Sequence, residues 1–323
     1  MESKLPFEKI NREILVKKEA KTNCTLKEIK AEELINYGIV NIDKPAGPTS
    51  HQVSDYVQKI LGISKAGHSG TLDPGVTGVL PIALGRATRI VQNLLTAGKE
   101  YVALMHLHKK VDEEKLRKAL NEFVGKIRQK PPLKSAVKRV EREREIYYLD
   151  ILEVNGQDVL FRIGCQAGTY IRKYIHDFGQ RIGCGAHMAE LRRTRVAAFD
   201  ETTLATLQDL ADAFYYYKQE DNDKFIRKII QPIENAVRHL PKIWVLDTTI
   251  GSLCHGVDLK IPGISKIETN INEEETVAVM TLNNELIAIG TTKMDSYDIM
   301  EKEKGIAVKI EKVFMVPETY TKT

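Results

Sequence analysis

The sequence predicts an α+β protein, a core of helices and strands followed by a small C-terminal β-barrel. Three observations predict it. Between residues 36 and 241, stretches with helical apolar spacing alternate with stretches of strand-like alternation. Beyond Pro241 only short β-type runs occur, KIWVLD, TVAVMTL, ELIAIGTT and GIAVKIEKVFM, separated by Gly and Asn turns. The charge also changes sign along the chain. Residues 242–323 hold nine Lys, no Arg and thirteen Asp plus Glu, a balance of −4, so with +4 for all 323 residues the remainder carries +8. The expected division is an N-terminal extension, 1–35, that docks on the rest, a core, 36–241, the barrel, 242–317, and a tail, 318–323.

Taken in order, GIVNIDKP after Tyr37 reads as a strand stopped by Pro45. The stretch THQVSDYVQKILG then places Val53, Val57, Ile60 and Leu61 on one helical face, with Thr49 or Ser50 as cap. KAGHSGTLDPGVTGVLPIALG reads as a glycine-rich loop. Residues 100–108 read as a strand, and 112–124 as a helix with Leu116, Ala119, Leu120 and Phe123 inward. Residues 146–154 and VLFRIGCQA form two strands of a hairpin turning at Asn155-Gly156. Residues 170–183 and 206–240 read as helical.

No stretch approaches the roughly 18 consecutive apolar residues of a membrane span, and the N-terminus has no apolar signal core. A cytoplasmic protein is expected. Cys24, Cys165, Cys184 and Cys254 form no CxxC and no metal-ligand spacing, so small reduced thiols are expected and no metal. The basic balance before residue 242 favours a polyanionic partner.

The loop around Asp73 carries the sharpest chemical pattern. Gly67, Gly70, Gly75 and Gly78 surround one carboxylate, and Pro74 holds Asp73 extended. Such a loop can present a carboxylate to a bulky substrate; Asp-Pro-Gly is equally ordinary turn chemistry. Gly168-Thr169-Tyr170-Ile171-Arg172 stands where a strand meets a helix, and Arg172 there can pair with a buried carboxylate or be a surface charge. From Lys126 to Glu145 eight Lys or Arg face three Glu, a strip that can follow a phosphate backbone or be a solvated edge. Tyr101 can stack on a base or pack in a strand. His68 has the same two readings, ligand contact or structure. Leu191-Arg192-Arg193-Thr194-Arg195 can bind phosphate or cap a helix end.

Together and in this order, these segments resemble the TruB branch of the pseudouridine synthases, and within it the dyskerin-type subunits of archaeal box H/ACA particles. The resemblance rests on Lys44-Pro45-Ala46-Gly47-Pro48-Thr49-Ser50, Gly67-His68-Ser69-Gly70-Thr71-Leu72-Asp73-Pro74, Lys99-Glu100-Tyr101, Gly168-Thr169-Tyr170-Ile171-Arg172 and Leu191-Arg192-Arg193-Thr194. It covers about 36–200 strongly. Residues 242–317 resemble a PUA domain, with Gly256 and Pro262-Gly263-Ile264 in place. The resemblance implies a mixed-sheet catalytic core and an RNA uridine isomerase without cofactor. Asp73 would be its catalytic residue, as nucleophile or base. Arg172 would pair with Asp73, Tyr101 would stack on the flipped base, Tyr170 and Leu191 would shape its pocket, and His68 would lie near the displaced target. Lys44, Lys134, Lys138, Arg139, Arg192, Arg193 and Gly256 would contact RNA.

Stand-alone relatives carry an insertion after the tyrosine motif that grips tRNA, whereas Tyr101 here leads almost directly to the helix at 112. The resemblance therefore implies a guide RNA of the box H/ACA type, rRNA as target and tRNA as an alternative one. It also implies three accessory proteins: a small zinc-ribbon Nop-type protein, a Gar-type protein and a kink-turn-binding ribosomal-type protein. No Lys-rich tail follows the barrel, which points to an archaeal member. The competing readings are a stand-alone tRNA synthase and a non-catalytic RNA scaffold.

Overall fold

The structure is a computed structural model that describes residues 3–22, 29–131, 138 and 140–317. The chain opens with α1 (Pro6–Lys9), β1 (Ile14–Val16) and α2 (Ala31–Tyr37). There follow β2 (Ile39–Lys44), α3 (Ser50–Leu61), β3 (Ala66–His68), β4 (Thr77–Leu84), α4 (Val91–Thr96) and β5 (Lys99–Leu107). Next come α5 (Glu113–Glu122), β6 (Gly125–Gln129), β7 (Arg142–Asn155), β8 (Asp158–Cys165), α6 (Ile171–Arg181), β9 (Ala186–Val196), α7 (Leu207–Gln219), α8 (Lys224–Ile229) and β10 (Ile230–Gln231). The last stretch holds β11 (Lys242–Val245), α9 (Asp247–Cys254), β12 (Leu259–Lys260), β13 (Ile264–Glu268), β14 (Thr276–Met280), β15 (Leu286–Thr292), α10 (Ser296–Glu301) and β16 (Ile306–Val313).

Two compact units result, Met1–Pro6 with Gly38–Gln231, and Phe7–Tyr37 with Pro232–Thr323. The first is a nine-stranded sheet in the order β10-β2-β4-β9-β5-β8-β7-β6, with β3 beside β4. It is mixed, because β4 and β9 run parallel where Thr77 and Gly78 face Arg192 and Arg193. Gly78 permits that approach: its φ is +101°, and a Cβ there would lie 2.2 Å from the Arg193 carbonyl oxygen. The core of this unit is built from Ala103, Met105, Phe161, Ile163, Ile175 and Phe178 among others. Helix α3 buries Val53, Val57 and Leu61, each worth about 1.5–3 kcal/mol on leaving water. Thr49, not Ser50, caps it, in a reciprocal pair with Gln52, and Gly62 ends it in the left-handed region. Helix α5 turns Leu116 and Leu120 inward, with Ala119 and Phe123 partly buried beside them.

Several expected boundaries move. The glycine-rich stretch is a loop only from 69 to 76, because GVLPIAL forms β4. Residues 206–240 are not one helix: Asp221 has φ +50°, α8 is a separate helix, and β10 adds an edge strand to the sheet. The arginine run lies in β9, not at a helix end. The compact units meet at Gln231/Pro232, and within the second Glu234 accepts the Leu286 amide at 3.0 Å.

The second unit is a seven-stranded sheet in the order β1-β13-β11-β14-β15-β16-β12 over an aliphatic core that includes Ile243, Leu253, Ile267, Val277 and Val308. The N-terminal segment is part of it: β1 pairs antiparallel with β13, Ile14 opposite Glu268. Cys165, Cys184 and Cys254 are free and buried; Cys24 lies outside the described residues. Among the described residues no helix is long and apolar enough to cross a membrane.

Candidate active site

Asp73 stands on the loop between β3 and β4, and the loop's backbone is pinned from several sides. Ser50, in the first turn of α3, accepts the Leu72 amide at 2.8 Å and donates to the Leu72 carbonyl at 3.3 Å. Gly47 donates to the Pro74 carbonyl at 2.9 Å, and Val76 closes a turn on the Asp73 carbonyl at 2.9 Å. The Lys44 ammonium donates to the carbonyls of Pro45, Pro74 and Val76 at 2.9, 3.1 and 2.8 Å. Arg193 donates to the carbonyls of Gly70 and Val79 at 3.1 and 2.8 Å. The main-chain oxygens are drawn inward, and the Asp73 carboxylate is left facing out.

Arg172, the second residue of α6, reaches that carboxylate: its Nη2 lies 2.7 Å from Asp73 Oδ2. The pair is not sheltered as expected, since the two side chains are 64% and 56% exposed. Tyr170 precedes α6 and is half-buried. Leu191 on β9 is half-buried opposite Ala103 of β5. His68 is half-buried, accepts the Gly70 amide on Nδ1 at 3.3 Å, and is held below its usual pKa by burial and then by Arg193 and His51.

Beneath this surface lies a group of buried cations with few anionic partners. Tyr101 on β5 is buried; burial pushes the phenol up, and the nearby Arg193 guanidinium opposes that. Lys99 donates to the carbonyls of Leu94, Leu95 and Ala97 at 3.0, 2.7 and 2.7 Å. Burial, with Arg193 close by, pushes its ammonium down to about 7. Lys44 and Arg193 are lowered for the same first reason. Glu100, next to Lys99 on β5, is also buried and accepts from Tyr148 at 2.6 Å and Thr194 at 2.7 Å.

These positions correct part of the expected RNA face. Lys44 and Arg193 are fully buried and bond backbone carbonyls, so they hold the loop and present no charge to RNA. Arg192 forks onto Asp43 at 3.0 and 3.1 Å and onto Glu201 at 2.6 Å, which leaves its charge matched at home. Lys138 is exposed. Lys134 and Arg139 lie outside the described residues. Gly256 ends α9 in the second unit with φ +81° and is exposed. A cleft of about 80 Å³ lies beside Tyr170, lined by Gln129, Pro131, Arg142, Arg144 and Gly168. Arg144 rests on Gly168 there; a Cβ at Gly168 would lie 3.2 Å from its guanidinium. Sequence reading missed Ser50 as a brace of the loop and Gln129 as a partner of Tyr170. A Ser at a helix start reads as a cap, and a lone Gln in a basic strip gives no signal.

The match to known families is extensive. Residues 58–171 match the TruB family pseudouridylate synthase N-terminal domain, 172–238 the tRNA pseudouridylate synthase B C-terminal domain, 241–314 the PUA domain and 2–54 the DKCLD (NUC011) domain. The chain is 52% identical to the probable tRNA pseudouridine synthase B of Nanoarchaeum equitans, over 99% of this chain and 93% of that one. It is 53% identical to the one of Pyrococcus furiosus, over 97% and 94%. Among solved structures it is similar to a chain of a Cbf5-Nop10-Gar1 complex, with TM-score 0.94 and 52% identity over 99% of this chain and 98% of that one. It is also similar to a chain of an H/ACA RNP bound to a substrate RNA containing 2′-deoxyuridine, with TM-score 0.90 and 48% identity over 98% and 99%.

Proposed function

The chain belongs to the TruB family of pseudouridylate synthases, isomerases that act on RNA, and we propose that Asp73 carries its reaction within a particle guided by box H/ACA RNA. The observation that carries the assignment is the Asp73 carboxylate, set facing outward on a pinned loop and 2.7 Å from the Arg172 guanidinium.

The reaction exchanges one bond for another. The ribose C1′–N1 bond breaks, uracil turns, C1′–C5 forms, the C5 proton leaves and N1 gains one. Nothing is oxidised, and no group is gained or lost. Asp73 acts either on the sugar as nucleophile or on a proton as base. Each role needs an ionised carboxylate held in one place, and Arg172 supplies both charge and orientation. A uridine in a helical stem is out of reach, so the target must be extruded. Tyr101 stacks on the extruded base; Tyr170 and Leu191 close the sides, and His68 lies near the displaced nucleotide.

Register comes from a guide. The short link from β5 to α5 leaves no tRNA-gripping insertion, and basic surface alone does not place one uridine. The likeness to chains of a Cbf5-Nop10-Gar1 complex and of an H/ACA RNP bound to a substrate RNA supports Nop10-type and Gar1-type proteins and RNA as partners; a guide RNA anchored near Gly256 and a kink-turn-binding protein complete this reading. The names of the relatives support tRNA as a second substrate. A cytoplasmic location follows from those substrates.

The test is tritium release from RNA labelled at uridine C5. An rRNA fragment should release tritium quickly only with a matching guide and the accessory proteins, and Asp73→Asn should release none while binding RNA normally. Equal rRNA modification without a guide would overturn the guided reading. Substantial turnover by Asp73→Asn would remove Asp73 from the chemistry.

A further inference from the structure

Gln129 is the last residue of β6 and is buried. Its amide meets a single residue's backbone twice. Nε2 donates to the Tyr170 carbonyl at 3.2 Å, and Oε1 accepts the Tyr170 amide at 3.0 Å. A primary amide offers the same donor and acceptor as a stretch of backbone, so Gln129 pairs with Tyr170 as a neighbouring strand would. That carbonyl also accepts the Tyr174 amide at 2.9 Å, the first turn of α6, and no side chain of α6's own N-terminus caps it. Two residues further on, Arg172 touches Asp73 at 2.7 Å. On its other side Gln129 pairs with Arg142 of β7, where the basic strip 126–145 joins the sheet.

We infer that Gln129 is a positioning residue, coupling the β6–β7 strip that receives the RNA to the Tyr170–Arg172 turn that orients Asp73. It rests on the roles given above to Asp73 and Arg172. The coupling is geometric. With the amide gone, the start of α6 keeps its helical bonds and core packing but loses its paired hydrogen bonds to β6, and Arg172 can shift relative to a carboxylate whose loop is itself pinned. Misplacement by about 1 Å is enough to slow a reaction about 100-fold without weakening the grip on substrate.

Two variants of the full chain, each assembled with guide and accessory proteins, test this under single-turnover conditions. Gln129→Met keeps length and volume but cannot bond Tyr170. Its rate should fall about 100-fold while RNA affinity changes less than about 3-fold. Gln129→Glu reads the hydrogen bond itself. As a neutral acid it accepts from the Tyr170 amide and donates to its carbonyl, as Gln does; ionised, it can no longer donate and sets a negative oxygen against a carbonyl. Its rate relative to wild type should therefore fall as pH rises from about 5.5 to about 8.5. A wild-type rate in Gln129→Met, or equal losses of rate and affinity, would overturn the inference. If that variant does not fold, the Gln129→Glu profile decides alone, and a flat ratio is the negative result. Asp73→Asn is run beside them. Activity there would mean that the parent assignment has failed; inactivity there with a fast Gln129→Met would mean that only Gln129 has been misassigned.

Discussion

Asp73 and Arg172 form an exposed ion pair, and exposure separates what the pair does for folding from what it does for chemistry. An exposed pair contributes about 0–1 kcal/mol to stability. Arg172→Ala should therefore melt close to wild type yet lose turnover by about 100-fold or more, because only the orientation of the carboxylate is lost. Arg172→Lys should recover part of the rate, since it restores charge but not the planar fork. A wild-type rate in Arg172→Ala would reduce Arg172 to a surface charge. Lys99 is the opposite case, buried and structural. Its folded value of about 7 lies below the ordinary 10.5, so between those values the unfolded chain binds more protons than the folded one. Stability from this group is full above about 10.5 and lost as pH falls toward about 7. In denaturant titrations at matched pH, the stability of wild type relative to Lys99→Met should rise from pH 7 toward pH 10; a flat difference would show the ammonium to be unperturbed. At this scale the motif residues were legible as chemistry but not as address. The letters Lys44 and Arg193 read as charge for RNA, yet both lie in the protein against main-chain oxygens. The available clue was local: Lys44 runs into Pro45-Ala46-Gly47-Pro48, a turn whose carbonyls need donors.

Among the elements, helices were read more surely than the middle strands. Helices α3, α5 and α6 announce themselves by apolar spacing and by their ends. Strand β4 hides behind a glycine and Pro81, which in a central strand argues against strand structure. The structure accommodates it: Pro81 faces Asn41 of β2, and its carbonyl accepts the Ser69 amide at 2.9 Å. Strand β9 hides behind its arginines, which have their partners only once β2, β4 and β5 are beside them. The hairpin of β6 and β7 carries the element-scale prediction. On the proposal that residues 126–145 meet the substrate strand, neutralising Lys134, Lys138 and Arg139 together should slow the guided reaction more than it weakens guide binding. It should also shrink the salt slope of substrate binding by about 0.7 for each phosphate left without its cation. Equal losses for guide and substrate would instead make the strip a general RNA surface.

Across the whole molecule the charge is divided, −4 over 242–323 and +8 over the rest. On the proposed reading, the PUA segment recognises RNA by shape and local bonds near Gly256, and the electrostatic footprint belongs to the remainder. Replacing Lys304 and Lys309 by Gln should leave the salt slope of guide binding unchanged within about 0.3, against a change of about 0.7 for each phosphate that a lysine truly neutralises. A large drop in slope would put the footprint in the second unit. The division into two parts was visible in the sequence as a change of pattern at Pro241. The membership of 7–37 was not, because three residues of edge strand carry no mark of the partner they will find. That partner is far off. Ile14 waits for Glu268, and a ribosome working at about 5–20 residues per second needs roughly 10–50 s to cover the distance. The first unit can close as soon as Gln231 emerges, while Phe7–Tyr37, made before nearly all of it, still has no sheet to join. Residues 7–37, among the first synthesised, are thus among the last to be placed, and for that interval Ile14 and Val16 must be kept from pairing with some other strand edge.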